Sequence, residues 1–271
     1  MTFEWTPFAI SYMISGIMAV VVAIVARSYR RRQGAAALWC LMVAAAVWSF
    51  GNALEICSVG LQAKTLWANI EYVGIAAVPV AWFATALGLT GAGKWLNRRN
   101  TTLLMVIPIV TQVMVWTNGY HGLMRYNIRI DAGGPFAVIA KTYGPWFWIM
   151  TVYSYVLLAV GTARVMKAVI ELPGPYRARA ALVGAAVVAP WAANFLYISG
   201  ISPIPYLDIT PIAFVVTGLA GALAILRYHV IDIQPIAWAT VVAGMDDGVV
   251  VTDYRGRVVA ANPAAQALTG W

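Results

Sequence analysis

Residues 8–32 read FAISYMISGIMAVVVAIVARSYRRR. Residues 8–26 hold no charged side chain, and Arg27, Arg30, Arg31 and Arg32 follow at once. A helix rises ~1.5 Å per residue, so about 20 apolar residues cross a hydrocarbon core of ~30 Å. The stretch reads as a membrane span that runs into a basic loop. Ahead of it, Met1–Pro7 contains Glu4 and no Lys or Arg. It lacks the basic n-region of a cleavable signal peptide, so the run is read as a permanent span.

The rest of the chain repeats this pattern. It has 271 residues, 62% of them apolar and 10% charged, with a mean hydropathy of +0.77. Soluble domains average roughly 45–50% apolar and about 25% charged, so one soluble core cannot bury this excess. The composition disfavours a soluble enzyme, a nucleic-acid binder and a disordered chain. Seven apolar runs are long enough to span, near 8–26, 35–56, 65–89, 101–117, 145–163, 178–199 and 206–226. Pro79, Pro108, Pro190 and Pro211 fall inside them. Membrane helices tolerate proline where neighbours satisfy the freed carbonyls, and such positions are candidate hinges. Cys40 and Cys57 read as lying on one apolar helix, roughly 25 Å apart at ~1.5 Å per residue, too far for an internal disulfide.

Net charge is +8, and the positions of the cations explain it. Arg27 and Arg30–Arg32, then Lys94, Arg98 and Arg99, then Arg164, Lys167, Arg177 and Arg179, then Arg227, Arg255 and Arg257 fall in alternate loops on one side. Only Lys64, Arg125, Arg129 and Lys141 fall on the other. Loops rich in Lys and Arg stay in the cytoplasm. The expected topology is N-terminus outside and C-terminus inside, in the cytoplasmic membrane, and an odd number of spans agrees.

The longest outer loop, 118–144, holds two β-prone stretches, Tyr126–Ile130 and Phe136–Thr142. They flank Asp131-Ala132-Gly133-Gly134-Pro135, which predicts a small hairpin on the outer face. Beyond the last span the composition changes. Val249–Thr252 and Arg257–Ala260 read as strands about a turn at Asp253-Tyr254-Arg255-Gly256. Asn262 then caps a helix with Pro263 at its first position. This is the start of a soluble α/β module too short for its own core, so the sequence reads as a fragment of a longer protein. The expected organisation is a seven-transmembrane helix bundle over 1–226, a connector over 227–244 and the incomplete module over 245–271. The fold class is all-α integral membrane with a small extracytoplasmic β-hairpin.

Ionisable groups inside spans are costly and mark candidate functional sites. In this topology Glu55, Glu71 and Asp208 all lie in the outer half, as do Asn52 and Asn194. Gln112, Asn118 and His121 lie at or beyond the outer end of the fourth span. Helical spacing groups Trp48, Asn52 and Glu55 on one stripe, Pro190, Asn194 and Tyr197 on another, and Trp148, Thr151 and Tyr155 on a third. If the stripes face inward they build an outward-opening cavity with carboxylates, amides and aromatic walls, suited to a cationic or amphipathic ligand. Terminal acids can equally reach the headgroup region, and polar side chains can bridge helices for ~0.6 kcal/mol on average. For Glu55 and Asp208 the two readings weigh equally. Glu71 lies deeper and points to function, whereas His121 sits where an ordinary loop histidine is expected. Trp5, Trp95, Trp116 and Trp146 fit an interfacial belt.

Several chemistries find no residues. No lysine stands in the seventh run for a retinal Schiff base. His121 and His229 are the only histidines, and neither has a partner at metal-ligand spacing. No phosphate-binding glycine loop or hydrolase triad is present. No catalytic residue, cofactor or metal is expected within this chain.

The chain resembles the seven-transmembrane N-terminal sensor region of bacterial and archaeal histidine kinases over nearly all of residues 1–240. The resemblance rests on Glu55 and on Tyr72-Val73-Gly74 with Pro79. It continues through Trp116-Thr117-Asn118 with His121, Tyr143-Gly144-Pro145-Trp146-Phe147-Trp148 and Tyr153-Ser154-Tyr155. It ends with Asp208-Ile209-Thr210-Pro211-Ile212-Ala213-Phe214, and with Arg227-Tyr228 leading to Asp232 and Pro235. Residues 244–271 resemble the first third of a PAS domain, on Asp253, Gly256 and Asn262-Pro263. The resemblance implies a sensor, usually dimeric, that couples an extracytoplasmic or membrane-borne small ligand to a cytoplasmic output. That output is commonly a histidine kinase with its response regulator, sometimes a diguanylate cyclase. No phosphoacceptor motif or ATP-binding glycine box is in the chain. The connector Pro235–Met245 lacks the charged heptads of a signalling helix.

The expected function is a membrane signal-receptor module. The candidate ligand-binding residues are Glu55, Glu71, Asp208, Asn194, Asn52, Trp148, Tyr155, Asn118 and His121. The candidate coupling residues are Pro190, Pro211, Arg227, Asp232 and Pro235. The alternative is a small-cation or proton-coupled transporter or channel using the same acids. A third possibility is an anchor and dimerisation scaffold with no ligand.

Overall fold

The structure is a computed structural model that describes residues 2–29, 34–171, 188–201, 207–227, 242, 244–252 and 258–270. It forms two units, Met1–Tyr228 and His229–Trp271. The first contains α1 (Phe8–Ser28), α2 (Ala35–Cys57), α3 (Leu61–Leu89), α4 (Arg98–Trp116), the short α5 (Asn118–His121), α6 (Pro145–Glu171), α7 (Val188–Ile198) and α8 (Thr210–Arg227). Strands β1 (Arg125–Asp131) and β2 (Val138–Tyr143) lie between α5 and α6. All seven apolar runs meet a helix. The first part of the sixth, residues 178–187, lies outside the described residues.

The burial pattern of α1 is the reverse of a soluble helix. Ala9, Ser15, Gly16, Ala19, Ala23 and Ala26 face the other helices, while Ile10, Ile14, Ile17, Val21 and Ile24 face outward. Large apolar groups can point outward where the surroundings are lipid, and small residues let helices approach. α1, α2, α3 and Pro145–Ala168 of α6 are each long and apolar enough to cross a membrane.

α3 is the centre of the unit, packing on α2, α4 and α6, while α1 packs on α2 and α8. The α2–α3 crossing is close because glycine permits it. A Cβ at Gly74 would lie 2.3 Å from the Ala44 carbonyl and 2.9 Å from the Trp48 amide. Hydroxyls join α1 to the start of α8. Tyr12 donates to the Asp208 carbonyl and Ser15 Oγ to the Pro211 carbonyl, each at 2.8 Å. Gln112 Nε2 donates to the Tyr72 carbonyl at 2.7 Å, binding α4 to α3.

Pro211, expected inside the seventh run, is the second residue of α8. Its missing N–H falls among groups that a helix start leaves unbonded anyway, so it costs nothing there and does not break the helix. Pro79 and Pro108 are interior to α3 and α4.

β1 and β2 form the expected antiparallel hairpin, from Arg125 opposite Tyr143 to Asp131 opposite Val138. A bulge between Tyr126 and Arg129 is accommodated by Asn127, at φ 54°. At the same end of the bundle the N-terminal segment pairs with the end of α2 and the loop after it, through Glu4 N to the Cys57 carbonyl at 2.7 Å and Val59 N to the Thr2 carbonyl at 3.2 Å. Lys64 has no exposed surface, and its Nζ donates to the carbonyls of Glu55 and Ile56 in the last turn of α2 and of Ala137 beside β2.

The second unit contains β3 (Val250–Thr252), β4 (Val258–Ala261) and α9 (Pro263–Thr269), with β3 and β4 antiparallel. Asn262 is its organising residue. Its Oδ1 accepts from Ala265 N at 2.9 Å, capping α9, and from Val249 N at 2.8 Å. Its Nδ2 donates to the carbonyls of Val242 and Asp247.

Candidate ligand-binding site

The bundle encloses a cavity of about 110 Å³, walled by α2, α3, the hairpin, α6, α7 and the start of α8. α2 contributes Trp48, Asn52 and Glu55, whose spacing places them on one stripe. α3 contributes Glu71 and Tyr72, α7 contributes Pro190, Asn194 and Tyr197, and Asp208 stands just before α8. Aromatic rings close much of the wall. Tyr143 stacks on Phe147 with centroids 3.7 Å apart and planes at 10°, and Trp48 meets Phe214 at 5.9 Å. Burial, with a smaller push from Asp208, raises the Tyr143 phenol to about 12, so at neutral pH it stays a neutral hydroxyl.

The polar groups divide into satisfied and unsatisfied ones. Asp208 Oδ1 accepts from Thr210 N at 3.0 Å and thereby caps α8. Asn194 Oδ1 accepts from the Tyr155 hydroxyl at 3.1 Å. Glu71 is 8% exposed; its Oε2 accepts from Asn52 Nδ2 at 3.1 Å, while its Oε1 has no partner among the described residues. Glu55 Oε1 and Trp48 Nε1 also lack partners among the described residues. Arg125, 2% exposed, lies 5.8 Å from the Tyr72 ring centre and donates through Nη2 to Asn69 Oδ1, and its Nη1 has no partner among the described residues. Buried polar groups are nearly always paired, so unpaired ones of both signs in one cavity call for an explanation.

Six of the nine residues proposed from sequence line this cavity: Glu55, Glu71, Asp208, Asn194, Asn52 and Tyr155. Three do not. Trp148 is 50% exposed, edge-on to Phe147 at 5.3 Å, and turns away from the interior although Thr151 and Tyr155 of its stripe line it. Asn118 accepts from Met124 N and Arg125 N and donates to the Arg125 carbonyl, so its side chain clamps the start of β1. His121 Nδ1 accepts from Leu123 N at 2.9 Å, and its Nε2 lies 3.1 Å from the Thr117 hydroxyl. Both belong to the turn at α5. Of the coupling candidates, Pro190 lines the cavity and Arg227 ends α8. Asp232 and Pro235 lie outside the described residues.

A family model described as the N-terminal 7TM region of histidine kinase matches residues 11–235. The chain belongs to this family. A PAS domain model matches residues 238–271, directly after the sensor region. A search of curated proteins found no match. A membrane sensor region followed by a PAS region is the order of a sensory signalling module, and the transporter or channel alternative is not favoured.

Within this sensor region, sequence reasoning missed three cations, Lys64, Arg125 and Lys141. All three were assigned to outer loops. Arg125 and Lys141 line the cavity, and Lys64 fastens the hairpin above it. A usable signal was present. Cations are scarce in the loops expected on that side, few enough for each to be matched to an acid or carbonyl near it.

Proposed function

We propose that this chain is the receptor module of a sensor histidine kinase or related signalling protein. In this reading residues 1–226 cross the cytoplasmic membrane seven times, with the N-terminus and hairpin outside. A small extracytoplasmic or membrane-borne ligand enters the cavity, and α7 and α8 carry its effect to the PAS region. A cytoplasmic output domain, or a response regulator, receives the signal, and the receptor works as a homodimer. A ligand shifts such a receptor only as far as its affinities for two arrangements differ.

The observation that carries the reading is Glu71, a carboxylate 8% exposed with one oxygen unpartnered among the described residues, in the wall of a cavity. An acid kept at membrane depth without a full set of partners is costly to stability, and function is the usual reason to retain it. In a fusion of the chain to a reporter kinase core, Glu71→Gln keeps an oxygen for Asn52 and removes the charge. The expected outcome is loss of signal response with unchanged folded yield. A normal response in this variant refutes the cavity as the sensing site.

Topology has its own test. Tyr120 is 94% exposed at the hairpin end. Tyr120→Cys in a background with Cys40 and Cys57 replaced should react with a membrane-impermeant maleimide added to whole cells. Labelling only after lysis reverses the orientation.

A further inference from the structure

The cavity presents charge of both signs. Its wall holds Glu55, Glu71 and Asp208 together with Arg125 and Lys141. Asp208 is committed to the cap of α8. Among the described residues, Glu55 Oε1 and Glu71 Oε1 are buried acceptors without a donor, and Arg125 Nη1 is a buried donor without an acceptor. The bases come from the hairpin and the acids Glu55 and Glu71 from α2 and α3, so the two sets are held by different parts of the fold. An amine alone would answer the acids, leave Arg125 unmatched and add positive charge beside it. A carboxylate alone would do the reverse. Both are penalised where little water screens charge.

We infer that the ligand is a small zwitterion of the amino-acid type, its ammonium held by Glu71 and Glu55 and its carboxylate by Arg125 and Lys141. Such a ligand meets the unpaired groups of both signs and leaves the charge of the cavity unchanged. Size agrees: an engineered apolar cavity of ~150 Å³ holds benzene, so about 110 Å³ takes about four to five non-hydrogen atoms, the size of glycine, with β-alanine one atom larger. This inference rests on the receptor reading above and narrows it to one chemical class.

The test is calorimetry on the full chain in lipid nanodiscs with four probes: glycine, β-alanine, ethylamine and propionate. Binding of glycine or β-alanine is expected, with ethylamine and propionate at least tenfold weaker. Glu71→Gln and Lys141→Gln should each weaken the zwitterion at least tenfold while the melting temperature of the empty protein stays within a few degrees. Ethylamine or propionate binding as tightly as the zwitterions overturns the proposal, and so does failure of all four to bind at millimolar concentration. The reporter fusion separates these failures from that of the receptor reading. If Glu71→Gln still abolishes signalling, the cavity senses a ligand of another class. If it does not, the receptor site itself is misplaced.

Discussion

Replacing Lys64 with Met isolates the bond between the hairpin and the bundle. Met keeps the unbranched apolar stem, so packing changes little and the loss is polar. Lys64 Nζ donates to the Ala137 carbonyl at 2.6 Å, the Glu55 carbonyl at 2.8 Å and, weakly, the Ile56 carbonyl at 3.4 Å. The Glu55 carbonyl keeps a second donor, Ser58 N at 3.2 Å, so the Ala137 carbonyl suffers most. A hydrogen bond from a charged donor contributes ~1.5–3 kcal/mol net. Relief from burying an ammonium offsets part of the remainder. The junction should therefore lose the equivalent of one such bond, about 2–3 kcal/mol. At ~1.4 kcal/mol per factor of ten, hairpin opening rises roughly 30- to 140-fold. Hydrogen exchange read by mass spectrometry on peptides from 125–143 measures this directly. The exposed Lys94→Met serves as control. A change below threefold in the hairpin, or an equal change throughout α2 and α3, refutes the role of Lys64 as a local fastening.

Two further perturbations probe the bundle. Gly74→Ala puts a methyl 2.3 Å from the Ala44 carbonyl. Backbone cannot yield cheaply there, so a loss of about 1–3 kcal/mol or more should appear as a lower melting temperature in detergent, and wild-type stability would contradict the close α2–α3 crossing. Asp208→Asn keeps an oxygen able to cap α8 and removes the charge, whereas Asp208→Ala removes both. The alanine variant alone should be destabilised, by about 0.5–2 kcal/mol. Equal stability of the two variants by thermal unfolding would show that the Thr210 N–H does not depend on this cap.

Much of the fold could be read from sequence because its causes are local. The stretch 8–26 must be helical in lipid, since unpaired backbone groups are intolerable there. The hairpin followed from Asp131–Pro135 between β-prone segments, and Asn262-Pro263 announced the start of α9. Helical spacing also placed Asn52 with Glu55, and Asn194 with Tyr197, on common faces. Spacing failed where a residue's task depends on what the chain brings beside it. Asn118 and His121 had the chemistry of ligand contacts, yet the turn at α5 uses their hydrogen-bonding atoms on its own backbone. Which turn of its helix Pro211 occupies also depends on where α8 begins, and the start at Thr210 puts it in the first turn.

The sequence by itself determined that this is a membrane protein of the histidine kinase sensor family, where its apolar runs lie, and that the three acids within those runs, Glu55, Glu71 and Asp208, gather toward one end. Hydrophobic run length, proline and turn residues act over a few positions, so they can be read in one dimension. Only the tertiary structure decided which charges meet. Arg125 and Lys141 belong to a loop more than fifty residues beyond Glu71 in the chain. Their placement in its cavity follows from the hairpin folding back over the bundle, where Lys64 holds it. A long-range contact of this kind leaves no periodicity in the sequence, because the free energy that enforces it resides in packing and in buried hydrogen bonds between distant segments.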